Sequence, residues 1–257
     1  MNILFVAPMP MTPWLGGIQR VTDVLAREMV RQGHQVTYLC RYFDSEDDFS
    51  SFPAEQVCIP FEVGMDRVFV GRYVNLLAER RIDCVFFQWV DSRVNVWLQN
   101  TPKSYKVISA IHQQPFPNRG YERMVSRCLH PGNLRQFCWK WVGLLFPIVH
   151  RFFSDSIWNR SLSNLLYSSD RVVLLSERFV PRVLKYASKV EPSRLYGINN
   201  PATFETESAV NLSEKENLVV FVARIENAQK NVLGFIDVWR KFSGLKKDWK
   251  AVVLGDG

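Results

Sequence analysis

The sequence is poor in paired cysteines. Its five cysteines, Cys40, Cys58, Cys84, Cys128 and Cys138, are odd in number and form no C-x-x-C pair. That argues against a disulfide framework or a cysteine zinc site and fits reduced thiols in a cytosolic protein. The apolar N-terminus has no charged leading region, and Pro8, Pro10 and Pro13 interrupt it early. It reads as a first strand rather than a signal peptide. No apolar run has the length of a membrane-spanning helix. G-x-G-x-x-G is missing, so a nicotinamide or flavin site is not indicated. Asp44, Glu46, Asp47 and Asp48 lack any ordered ligand spacing and read as a solvated charge run, not a metal site. No internal repeat or low-complexity tract is present.

What is present is a chain of 257 residues with 47% hydrophobic content, enough for one large or two modest domains. Ile3 to Ala7 is a proline-bounded apolar run of strand length. Gly16-Gly17 then opens a helix with Ile18, Val21, Leu25 and Met29 on one face. Gly33 closes that helix, and Val36 to Cys40 follows as the next strand. This β-loop-α-β start predicts a Rossmann-like domain with a right-handed crossover. Further along, Val57 to Ile59 is a short strand and Asp66 to Arg80 a helix. Cys84 to Trp89, Val107 to Ile111, Arg171 to Ser176 and Leu195 to Ile198 are further strands, with a helix from Glu177 to about Lys189. His112 stands directly after one strand; by position alone it reads as a structural histidine at a strand end. Ser176 reads as a cap for the helix that follows it.

A second strand-helix-strand unit lies near the end. Leu218 to Ala223 has the pattern of a parallel strand buried on both faces. A helical stripe follows at Val232, Phe235, Ile236, Trp239 and Phe242, with Gly244 as its closing residue. Ala251 to Leu254 then runs into Gly255-Asp256-Gly257. Arg224 stands at the mouth of the first strand and Lys230 six residues later, just before the helix. Ligands of open α/β sheets bind at the carboxyl ends of strands, and helix N-termini favour anions. The two cations suggest a phosphate clamp, but spacing alone favours the plainer reading of solvated loop charges.

Charge is concentrated in one window. Residues 101–165 carry nine Lys or Arg against two acids, a net of +7 that equals the net of the whole chain. Within it, residues 137–153 are dense in large apolar side chains, with Trp139, Lys140, Trp141 and Arg151 among them. That composition suits an interfacial membrane helix, which Pro147 would kink. It equally suits the core of a helical insertion with cationic stems draped over it; the two readings stand level. Nucleic acid is set well below both, since no recognition motif accompanies the charge.

The segment LVVFVARIENAQK, Leu218 to Lys230, resembles the start of the C-terminal domain of family 4 glycosyltransferases, which have the GT-B fold. In that family a strand ends in Gly-Arg, a Lys lies six residues beyond, and a later strand ends in Gly-Asp-Gly. Ala223 stands where the family has the glycine, and Arg224 and Lys230 match the two cations that hold the donor diphosphate. Asn2 to Cys40 resembles the family's N-terminus, GGIQR matching Gly-Gly-Ile-Glu-Arg with Gln19 in place of the acid. There the loop of Gly16 and Gly17 faces the cleft near donor phosphates and acceptor. AIHQQP matches the context of a cleft histidine that contacts the donor sugar, a role the resemblance passes to His112. Gln113 stands where the family frequently has Asp, so no general base is assigned there. Asn199-Asn200-Pro201 is similar to the family's crossing between domains.

The resemblance implies an α/β, GT-B-like architecture: an N-terminal Rossmann-like domain over residues 1–201 and an incomplete second Rossmann-like domain over residues 202–257. It implies a retaining hexosyltransferase, moving a sugar from a nucleotide diphosphate sugar to a glycan or lipid-linked acceptor in polysaccharide or lipopolysaccharide biosynthesis. It implies no cofactor and no obligatory metal, in keeping with the lack of a D-x-D motif. The expected location is cytoplasmic, with a peripheral contact at the inner face of an anionic membrane as an open reading. The family's glutamate pair lies beyond the Gly-Asp-Gly strand, so the chain is expected to be truncated and to turn over little by itself. A GT-B-like nucleotide-sugar epimerase and a non-catalytic membrane-docking module are the alternatives.

Overall fold

The computed structural model describes residues 1–12, 16–41, 52–60, 66–88, 104–116, 159–160, 162–202, 212–225 and 230–256. They divide into two units, one within residues 1–204 and the other within 205–257.

The first unit is built on seven parallel strands: β1 (Asn2–Val6), β2 (Gln35–Cys40), β3 (Glu55–Cys58), β4 (Cys84–Phe87), β5 (Lys106–Ile111), β6 (Arg171–Leu174) and β7 (Leu195–Gly197). Their order across the sheet is β3-β2-β1-β4-β5-β6-β7. Strand side chains alternate between faces, so a strand buried on both sides is apolar throughout. β1 shows this directly. Ile3, Phe5 and Ala7 join Val36, Tyr38 and Cys40 in one core cluster, which takes Ala26, Leu25 and Met29 from helix α1 (Gly17–Arg31). Leu4 and Val6 point the other way, into a larger cluster with Val85, Phe87, Val107, Ile111, Val172 and Leu174. That cluster is covered by Phe69, Tyr73, Leu76 and Leu77 of helix α2 (Asp66–Glu79) and by Leu162, Leu165 and Leu166. The chain winds one way from β1 through β2 to β3, then returns to start β4 on the far side of β1. The topological switch point falls between β1 and β4.

Local chemistry fixes the ends of these elements. α1 stops at Gly33, whose φ of 84° suits glycine, with the Gly33 and His34 amides bonding back to Val30 and Met29. α2 stops in the same way at Arg81, φ 48°, the Ile82 amide reaching Leu77 O at 2.9 Å. At the amino edge of the sheet two aspartates do the work of missing strand neighbours. Asp83 Oδ2 accepts the Asn2 amide at 2.7 Å, and Asp170 Oδ2 accepts the Val107 amide at 2.9 Å. Ser176 caps a short 3-10 turn, Glu177–Phe179, by accepting the Arg178 amide at 3.3 Å, ahead of helix α3 (Val180–Tyr186). This helix ends sooner than the pattern to Lys189 suggested.

The second unit pairs β8 (Leu218–Val222) in parallel with β9 (Lys250–Leu254) and lays helix α4 (Val232–Leu245) against them. Phe235 stacks on Phe221 with ring centroids 4.7 Å apart, and Trp239, Phe242 and Trp249 extend the contact. The expectation of a strand buried on both faces is corrected here. Val219 and Phe221 are partly covered, whereas Leu218, Val220 and Val222 are exposed, Val222 at 73%. The physical reason is that two strands and one helix cover one face of this small sheet. Ile236 is exposed too, off the packed stripe. Gly244 is also corrected: it lies inside α4, which runs on to Leu245.

Candidate functional site

The carboxyl edge of the seven-stranded sheet, beside the switch point, is where a ligand of such a fold sits. Three segments of the first unit reach it. After β1 the chain runs through Met9 to Thr12, held down by Tyr38, whose hydroxyl donates to Met9 O at 3.1 Å, and by Gln56, which bonds the Met11 amide and carbonyl at 3.0 and 3.2 Å. It then enters α1 at Gly16, whose backbone is extended and which gives no side-chain cap. The first turn of α1 contains no acidic residue to offset the positive end of the helix. Among the described residues, a Cβ added at Gly17 would meet no atom within 4 Å. Gln19 turns inward instead, its amide donating to Met9 Sδ at 3.7 Å.

β4 and β5 supply the second and third segments. β4 ends at Phe87, one strand residue before Gln88; the expected run through Trp89 is corrected, residue 89 lying outside the described residues. The Gln88 amide nitrogen bonds Val6 O at 3.0 Å, anchoring it to the end of β1, and its side chain is 1% exposed. His112, immediately after β5, bonds through Nε2 to Gln88 Oε1. Burial pushes the imidazole below its ordinary value of 6.5, and the Asn200 amide, arriving from beyond β7, opposes this weakly. The ring is therefore neutral at pH 7. Past His112, Pro115 and Phe116 are clamped by Arg182 of α3, whose Nε donates to their carbonyls at 2.9 and 3.0 Å.

Arg224 and Lys230 belong to the second unit. Arg224 lies two residues beyond β8 and Lys230 just before Asn231, the N-cap of α4; both are exposed. β9 exits through Gly255 against the same strand end. The Ala223 amide bonds Leu254 O at 3.1 Å and the Ile225 amide bonds Asp256 O at 2.7 Å. A Cβ at Gly255 would run into the Ala223 carbonyl, so the glycine holds the turn that carries Arg224. Trp139, Lys140, Trp141 and Arg151, and the acids 44 and 46–48, lie outside the described residues. Among the described residues there is no group of three metal-ligating side chains and no helix long and apolar enough to cross a membrane.

Gln88, Asn200 and Arg182 have no site role in the sequence reading, Asn200 being named only as part of the crossing between domains. Gln88 had a usable signal: it is the first polar residue after the apolar run CVFF, the same strand-end position that singled out His112. Asn200 and Arg182 reach the site through tertiary packing, and no local pattern assigns them to it.

The sequence model for Glycosyltransferase Family 4 matches residues 15–202, nearly three quarters of the chain. No curated protein sequence matches. Among solved structures, the apo lipopolysaccharide outer core galactosyltransferase WaaB is 14% identical with a TM-score of 0.58, the alignment covering 100% of this chain and 61% of that one. A glycosyltransferase from Rickettsia africae ESF-5 is also 14% identical, TM-score 0.58, covering 99% of this chain and 60% of that one. A mutant of S. aureus TarM, in complex with Fondaparinux, alpha-GlcNAc-glycerol and UDP, is 10% identical with a TM-score of 0.63, covering 100% and 72%. The chain thus spans about three fifths of the first two, and the likeness establishes the GT-B glycosyltransferase fold.

Proposed function

The chain belongs to Glycosyltransferase Family 4, and we propose on that premise that it moves a sugar from a nucleotide diphosphate sugar to a glycan or lipid-linked acceptor. The family match over residues 15–202 carries this reading. In it, Arg224 and Lys230 hold the donor diphosphate and offset the charge that builds on it as the glycosidic bond breaks. Hydrogen bonds to charged groups contribute ~1.5–3 kcal/mol each. Gly17, clear of any atom within 4 Å of an added Cβ among the described residues, and the start of α1, which has no side-chain cap, admit an anionic or sugar group close to the backbone. Neutral His112 orients the donor sugar. The reading includes retention of anomeric configuration, no obligatory metal, and a place in cell-surface polysaccharide or lipopolysaccharide assembly at the cytoplasmic side of a membrane. The family match does not favour the epimerase alternative.

Binding tests it. Saturation-transfer NMR against UDP-glucose, UDP-galactose, UDP-N-acetylglucosamine and GDP-mannose is expected to show transfer to both nucleotide and sugar protons for at least one donor. Silence from all four would reject the reading.

A further inference from the structure

Gln88 and His112 form a bonded pair on neighbouring strands beside the switch point, and both keep a buried polar atom unused. Among the described residues, Gln88 Nε2 and His112 Nδ1 are buried and have no partner in hydrogen-bond geometry; Asn200 comes near enough to the ring to act on it but does not meet that geometry. Buried polar side-chain atoms are nearly always bonded, and leaving one unmet costs ~1–3 kcal/mol. Two such atoms on one pair, at the edge of the sheet where ligands bind, point to a polar ligand.

The hydrogens of the pair can be placed in two ways. With the proton on Nε2, Gln88 Oε1 accepts it, leaving Nδ1 as an acceptor and the amide NH2 as a donor. With the amide turned over, its NH2 donates to Nε2, leaving Nδ1–H as a donor and Oε1 as an acceptor. Either arrangement offers a ligand one donor and one acceptor. A hydroxyl group both gives and takes a hydrogen bond, so a polyol edge answers either arrangement. Protonation of the ring would replace the acceptor with a second donor in the first arrangement; burial keeps the ring neutral at pH 7.

We propose that Gln88 is a positioning residue for His112 and itself adds a hydrogen bond to a hydroxyl-bearing edge of the donor sugar, beside the contact that the resemblance assigns to His112. The sugar as ligand rests on the glycosyl-transfer reading above; the positioning role does not.

The test uses the whole chain with Gln88→Met, close in volume, and Gln88→Glu, which keeps an acceptor but has no amide donor. Long-range nitrogen-proton NMR of the His112 ring is expected to show one neutral tautomer in wild type and a mixture in Gln88→Met. In Gln88→Glu the carboxylate draws the ring toward its protonated form. Calorimetry then compares UDP-glucose, or whichever of the four donors binds, with its bare nucleoside diphosphate. Gln88→Met is expected to reduce the sugar-dependent gain in affinity roughly tenfold, while affinity for the bare nucleotide stays within about twofold. Unchanged tautomers and an unchanged sugar-dependent gain in Gln88→Met would overturn the inference and leave the transfer reading standing. If wild type binds no donor, the transfer reading and the sugar half fall together, and the tautomer result alone decides the positioning half.

Discussion

Replacing Arg182 by Met isolates what holds the segment beyond His112. Phe116 has a φ of 49°, a left-handed conformation that costs a non-glycine residue ~1–2 kcal/mol. Its ring is buried and stacks on Tyr186 at 4.9 Å between centroids. Arg182 Nε donates to Pro115 O at 2.9 Å and Phe116 O at 3.0 Å, its Nη2 bonds Phe116 O as well, and its guanidinium lies 5.9 Å from the Tyr186 ring. Methionine keeps most of the stem but removes the charged donors. Charge-assisted bonds to half-buried carbonyls are worth ~1.5–3 kcal/mol and an exposed cation–ring contact about 0.5 kcal/mol. Relief of Phe116 strain returns part of this, so the net loss is about 2 kcal/mol. For a chain of this size that lowers Tm by roughly 4–8 °C. Urea unfolding measures the loss, and hydrogen exchange at the amides of residues 112–114 and 116 localises it. A change below about 0.5 kcal/mol with unaltered exchange would show that Arg182 does not hold this turn.

Four further outcomes follow from the packing and the charges. Gly197→Ala places a Cβ 2.7 Å from Glu177 Cα and closer still to its amide, and overpacking of this kind costs ~1–3 kcal/mol; denaturant titration reads it. Arg81→Gly relieves the left-handed residue closing α2 and is expected to stabilise by about 0.5–1 kcal/mol, less than the full strain because glycine also loosens the unfolded chain; a lower midpoint would contradict this. His112 titrates below 6.5 when folded, so the unfolded chain binds the extra proton first and stability falls as pH drops from about 6.5 toward the folded value; His112→Gln should flatten that part of the urea-midpoint profile. Burial, with Asp170 and Asp83 adding to it, pushes the Cys84 thiol up to about 11, so iodoacetamide at pH 8 should label Cys84 only when the chain is denatured.

The sheet was legible because its central strands are mostly apolar. Ile3 to Ala7 and Val107 to Ile111 advertise burial on two faces, and Gly33 and Ser176 mark ends by chemistry that needs no tertiary partner. β8 carries the same apolar signature, yet alternate residues are exposed, because composition records what a strand is fit to bury and not what covers it. The site divides in the same way. Gly16, Gly17 and His112 follow from strand ends and turns. Gln88 needed the end of β4 placed two residues earlier, at Phe87 rather than Trp89, and Asn200 comes to His112 through the return of the chain from β7.

The most direct test of the account is calorimetric titration of a nucleotide diphosphate sugar into wild type, Arg224→Ala, Lys230→Ala and the double variant. Each cation that meets the diphosphate contributes ~1.5–3 kcal/mol, so each single change is expected to weaken binding at least tenfold and the double change by at least a hundredfold. Affinities that stay within about twofold across all four proteins would contradict it.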